Sequence, residues 1–280
     1  MLAQADIALP AAARCGRAPT WDVGTGTLLW TDPPSRTVHR FRPGGGNATM
    51  QVPQPAGGAK PRSRGGVVLH LAEGIALFDA HGETRTWLAY WGREGFTGGA
   101  TLVDRRGRLW ASTVRADEGG QGWLVRVGPD GSAGVLLDDL RAGLGLGWSP
   151  DDTRLYVADA GTGRVDVLDF DLATGSAGNR RALCEVGGEP AGLAVAADGA
   201  IWTAVRDKGE LHRYASTGEL LDSVPLPAKR PTGLCFGGAD LTDLYITTAT
   251  DDVPEPGEAD GALLALRDLP EGLRPHAFTG

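Results

Sequence analysis

Cysteine is scarce in this chain. Cys15, Cys184 and Cys235 are too few, and odd in number, to build a disulfide framework, so a reducing, cytoplasmic setting is expected. An excess of basic charge is also missing. The formal net charge is -8 and the isoelectric point is near 5.1, which argues against nucleic acid or an anionic membrane as a main partner, since both demand a basic face. No apolar run approaches the length that crosses a bilayer. The first residues, Met1-Leu2-Ala3-Gln4-Ala5-Asp6, lack the basic start of a secretory signal, and Asp6 interrupts what would be its apolar stretch. Chemical signatures are thin as well. The five histidines show no metal-ligand spacing, there is no Gly-x-Ser-x-Gly elbow, and no helix follows Gly143-Leu144-Gly145-Leu146-Gly147 to receive a phosphate. With these classes set aside, the expected partner is a small-molecule substrate or ligand, an anionic one among the options.

What the sequence has in abundance is turn formers, with 43 glycines and 18 prolines beside 41% hydrophobic residues. That mixture describes many short segments around a sizeable core, and favours all-β architecture. A turn residue, an aliphatic and then Trp or Tyr recur as Gly26-Thr27-Leu28-Leu29-Trp30, Gly107-Arg108-Leu109-Trp110, Thr153-Arg154-Leu155-Tyr156, Gly199-Ala200-Ile201-Trp202 and Thr242-Asp243-Leu244-Tyr245, with a weaker copy at Gly74-Ile75-Ala76-Leu77. The later copies repeat about every 45 residues, the length of a four-stranded propeller blade. The whole chain, 1–280, is therefore expected to form a single six-bladed β-propeller domain. The aromatic strands are read as inter-blade packing. Innermost strands are predicted to begin at Arg17-Ala18-Pro19, Gly65-Gly66-Val67, Gly98-Gly99-Ala100, Leu144-Gly145-Leu146, Ala191-Gly192-Leu193 and Thr232-Gly233-Leu234. The mouth of the channel they enclose is the default ligand site.

Several segments then carry a family resemblance: Pro19-Thr20-Trp21-Asp22, Asp104-Arg105-Arg106-Gly107-Arg108-Leu109-Trp110, Trp148-Ser149-Pro150-Asp151, Leu155-Tyr156-Val157-Ala158-Asp159, Asp169-Phe170-Asp171, Pro231-Thr232-Gly233-Leu234-Cys235-Phe236-Gly237-Gly238 and Leu244-Tyr245-Ile246-Thr247. In this order and spacing the chain resembles the senescence-marker-protein, gluconolactonase and luciferin-regenerating-enzyme family, to which regucalcin belongs, over nearly its full length. The resemblance implies a six-bladed propeller that opens small sugar lactones with a divalent metal, Ca²⁺ or Zn²⁺ among others, at one end of the channel. It implies a Glu, an Asn and an Asp as ligands, at positions that here read Arg17, Leu144 and Ala191. Leu144 and Ala191 offer no donor atom and Arg17 brings a permanent positive charge, so no metal and no other cofactor are expected. The family's substrate-contacting Arg-x-Asn-Asp-Gly reads Thr97-Gly98-Gly99-Ala100-Thr101, with Thr97 and Gly99 at its contact positions, and a lid carboxylate corresponds to Asp117 or Glu118.

Arg17 is read as a fixed charge for a carboxylate, phosphate or developing oxyanion, against a structural ion pair with a channel acid such as Asp117. His70, in Val67-Val68-Leu69-His70-Leu71, is placed facing the channel as a general acid or base, against a buried core histidine. Asp117 and Glu118 are read as an acid-base pair on a flap, against solvated loop carboxylates. Asp159 is read as fixing backbone between blades. The site set is thus Arg17, His70 and Asp117 for catalysis, with Arg17, Thr97, Gly99, Asp117, Glu118, Leu144 and Ala191 around the substrate. Three functions fit it: a metal-independent enzyme carrying out hydrolysis, cyclisation or isomerisation, a non-catalytic binding protein, or a metal-dependent lactone hydrolase with atypical ligands.

Overall fold

The computed structural model describes residues 4–80, 82, 84–115 and 121–280. Its strands, numbered β1 to β24 in chain order, form six four-stranded antiparallel sheets. The innermost strands are β2 (Arg17–Asp22), β6 (Ala56–Pro61), β10 (Phe96–Val103), β14 (Gly143–Trp148), β18 (Pro190–Val195) and β22 (Pro231–Gly237). Each touches the innermost strand of the next sheet, and β22 touches β2, so the ring closes as a six-bladed β-propeller. The closure is made by distant parts of the chain: β1 (Asp6–Leu9) pairs with β24 (Leu263–Leu266) as the outer strand of the last blade. Among the described residues no helix is long and apolar enough to cross a membrane.

The second strand of each blade is packed on both faces by neighbouring blades, which removes the polar alternation of a one-sided sheet. In β15 (Arg154–Asp159), Leu155, Val157 and Ala158 are fully buried and Tyr156 nearly so. Trp30, Trp110 and Trp202 hold the same place in their blades and are buried to within 1%. The recurring aromatic is therefore blade-to-blade core.

All six innermost strands break register with their neighbour near the channel. The bulge lets six strands converge where side chains have no room. Gly192 shows the constraint: its φ is +74°, and a Cβ there would stand 2.6 Å from Gly233 Cα.

The second blade departs from the sequence reading by one strand. Its innermost strand is Ala56–Pro61, whereas Val67–Leu71 (β7), with His70, is the second strand and Gly74–Phe78 (β8) the third. The sequence Ala56-Gly57-Gly58-Ala59-Lys60-Pro61 has the composition of a turn. Its glycines serve crowding instead, since a Cβ on Gly98 would stand 2.9 Å from Gly57 Cα across the blade boundary.

Candidate functional site

Among the described residues, two cavities stand out along the channel, and they share no lining residue. A narrow one of about 250 Å³ sits where β2, β6 and β10 begin, with Cys15, Arg17, Pro33, Gly57 and Thr97 in its wall. A wide one of about 480 Å³ is formed by the later residues of all six innermost strands.

Arg17 is placed at the narrow mouth by a carboxylate clamp. Asp32, the last residue of β3 (Thr27–Asp32), is buried and accepts the backbone N–H groups of Arg14 at 3.1 Å and Cys15 at 2.9 Å, fixing the segment that enters β2. Asp159 repeats the device in the fourth blade, accepting from Arg141 N at 3.0 Å and Ala142 N at 2.7 Å. Its expected role in fixing backbone is thus the one it performs. The chain next passes through the β2 bulge, where Ala18 adopts φ +47°, a left-handed conformation costly for a residue with a Cβ. This turn presents Arg17 to the cavity.

The half-buried Arg17 donates from Nε to Cys15 Sγ at 3.2 Å and has no carboxylate partner among the described residues. Nearby Arg14 is paired with Asp251 at 3.0 Å. A guanidinium left unpaired in a recess is a standing attraction for an anion, because it keeps most of its donors free. Thr97 stands across the same recess and is exposed. Arg17 and Thr97 are the members of the expected set that the fold brings together in one cavity.

The others are placed differently. His70 is a correction: it does not line either cavity. It is buried against the edge of Trp91, with ring centroids 5.6 Å apart. Neither ring nitrogen has a hydrogen-bond partner among the described residues, and burial pulls its pKa down to about 4. The one-strand shift of the second blade explains the difference, because a second strand faces the neighbouring blades and not the channel. Gly99 is buried where β10 meets β14, beside a Ser112 hydroxyl that donates to Gly143 O at 2.6 Å. Ala191 is 1% exposed and lines neither cavity. Leu144 lines the wide cavity, apart from Arg17. Asp117 and Glu118 lie outside the described residues.

The wide cavity holds a residue that the sequence reading missed. Lys60, on β6, is 7% exposed, and its ammonium donates to Thr20 Oγ1 at 2.5 Å. Burial pulls its pKa down to about 8. Cys235 faces it, and burial pushes that thiol up to about 12. Once Ala56–Pro61 is recognised as an innermost strand, its lysine is the one polar side chain in a run of glycine, alanine and proline. The C-terminal segment crosses this mouth: Leu273 N bonds Val195 O at 3.0 Å in the fifth blade, and Phe278 N bonds Pro61 O at 2.9 Å in the second. Between those anchors Arg274 and His276 join the cavity wall, and Arg105 pairs with Asp152 at 2.9 Å on its rim.

Residues 15–250 match the model of the SMP-30/Gluconolactonase/LRE-like region. Among curated proteins the chain is 34% identical to 6-deoxy-6-sulfogluconolactonase of Pseudomonas putida, covering 95% of each chain. It is 31% identical to regucalcin of Xenopus laevis, again over 95% of each. Among solved structures it superposes with a TM-score of 0.93 on a calcium-binding regucalcin from Agrobacterium tumefaciens, at 22% identity and over 99% of this chain and 97% of that one.

Proposed function

This chain belongs to the SMP-30/gluconolactonase/LRE-like family, and from that premise we propose that it is a lactone hydrolase whose narrow mouth acts through the fixed charge of Arg17 in place of a divalent metal. The observation that carries the reading is the Arg17 guanidinium in a recess with no carboxylate partner among the described residues. The donor set does not fit a hard cation, which seeks carboxylate, carbonyl and amide oxygens. Arg17 would repel it, Leu144 has no donor and faces the other cavity, and Ala191 is buried without one. No group of three or more His, Cys, Asp or Glu able to hold a metal occurs among the described residues.

Water adding to a lactone carbonyl turns that oxygen into an oxyanion, and a preorganised guanidinium stabilises the charge as it forms. Arg17 is held in place by its Cys15 contact and the Asp32 clamp, so little reorganisation is required. Asp117 is assigned the proton: it takes it from the attacking water and returns it to the ring oxygen as the tetrahedral oxyanion collapses and the lactone C–O bond breaks, giving the open hydroxy acid. The proposed substrate is a small lactone with an anionic substituent, since an Arg with no carboxylate partner among the described residues also selects ground-state charge. The name of the Pseudomonas relative, a lactonase for a sulfonated sugar, supports this choice.

The test is hydrolysis of neutral and acidic sugar lactones, followed by acid release, with chelator-washed protein. Activity is expected to survive chelation, and Arg17→Ala is expected to lower kcat/KM by about 100-fold or more. Activity lost on chelation and restored by Ca²⁺ or Zn²⁺, or an unchanged Arg17→Ala variant, overturns the reading.

A further inference from the structure

We propose that the wide cavity at the opposite mouth is a second ligand site, built to hold a small carboxylic acid with an apolar body, its carboxylate received by Lys60 and Thr101. It is independent of the reading of Arg17, since the two cavities have no lining residue in common.

Lys60 and Thr101 sit on neighbouring innermost strands. β6 lies between β2 and β10, and Lys60 reaches Thr20 on the β2 side. On the β10 side, Thr101 packs its hydroxyl against Gly58, two residues before Lys60 and on the same face of the strand. Thr101 lines the cavity, and its buried Oγ1 has no hydrogen-bond partner among the described residues. An unused buried hydroxyl and a buried amine with one neutral partner are both costly, and both are relieved by one oxyanion.

Among the described residues, none supplies a free counter-charge at this point. Cys235 faces the amine, but burial pushes its thiol up to about 12, so it stays protonated at neutral pH. Asp152, on the rim, is committed to Arg105 at 2.9 Å. The rest of the wall is largely aliphatic and aromatic, with Leu146, Leu193, Leu234 and Phe236 around the cavity. A polar inner end and an apolar body, in about 480 Å³, match a ligand of one carboxylate and several carbons. A carboxylate beside Lys60 would also favour the ammonium form that burial now disfavours.

Calorimetry on the full chain at pH 7 with octanoate and 1-octanol tests this directly. Octanoate is expected to bind at least about tenfold more tightly than the alcohol. Lys60→Met is expected to remove that preference and leave octanol binding in place. Thr101→Val is expected to weaken octanoate by about threefold or more while raising Tm, because it deletes an unsatisfied hydroxyl at constant shape, a combination a purely structural role would not give. Arg17→Ala is expected to leave octanoate binding unchanged, which separates this site from lactone hydrolysis. Octanoate binding no tighter than octanol, or undiminished in the Lys60→Met protein, overturns the proposal. Should Lys60→Met fail to fold, undiminished octanoate binding by Thr101→Val overturns it instead.

Discussion

His70 carries two ring nitrogens into the interior without a partner among the described residues, and the interior responds by keeping the ring neutral. Its pKa falls from 6.5 to about 4, so between those values the unfolded chain binds more protons than the folded one. Stability should therefore rise with pH across this window, and the full penalty for charging the ring applies below it. Each pKa unit corresponds to about 1.4 kcal/mol, so the acid-side loss from this residue is on the order of 3 kcal/mol. His70→Leu is expected to flatten the acid limb of the stability curve, as read from urea midpoints at pH 4 and pH 6.5. An acid limb as steep as in the parent protein would show that other groups control it. A histidine within a valine and leucine run looks the same in sequence whether it faces a channel or a neighbouring blade, and the one-strand frame of the blade decides between them.

At the scale of the strand, the bulged innermost element makes both mouths. Its register break turns Arg17 toward one cavity, while the residues beyond it build the other. Gly192 shows how little freedom the bulge has. Replacing it with Ala sets a Cβ 2.6 Å from Gly233 Cα at φ +74°, and with backbone as the obstacle no side chain can yield. Gly192→Ala is expected to cost about 2 kcal/mol or more, measured as a lower denaturant midpoint at an unchanged m-value. A loss under about 0.5 kcal/mol would mean that the strands can separate there. Periodicity revealed the aromatic second strands because they obey one rule, burial on both faces. Ala56–Pro61 escaped it because an innermost strand that meets its neighbours through Gly57 and Gly58 has the composition of a loop, and Lys60 was lost with it.

The whole ring is held shut by β1 on β24, where Ile7 faces Leu264 and Leu9 faces Leu263. Deleting residues up to Leu9 leaves the outer edge of β24 unpaired and uncovers Leu264, which is otherwise fully buried. The deletion is expected to lower Tm by several degrees and to increase self-association, checked by calorimetry and by size-exclusion chromatography. An unchanged Tm would place the closure in the innermost β22–β2 contact instead. The amino-acid sequence by itself determined the six-bladed architecture, since a repeated pattern of burial is written into residue types regardless of where the blades meet. It also marked Arg17, because a guanidinium at the entrance to an innermost strand stands out from the family pattern. Only the tertiary structure decided that Arg17 shares its recess with Thr97, that Leu144 belongs to a different cavity, and that Lys60 and Thr101 face one space. The reason is geometric. A site in a ring gathers single residues from separate blades, and which of them meet depends on bulges and strand frames that no local pattern records.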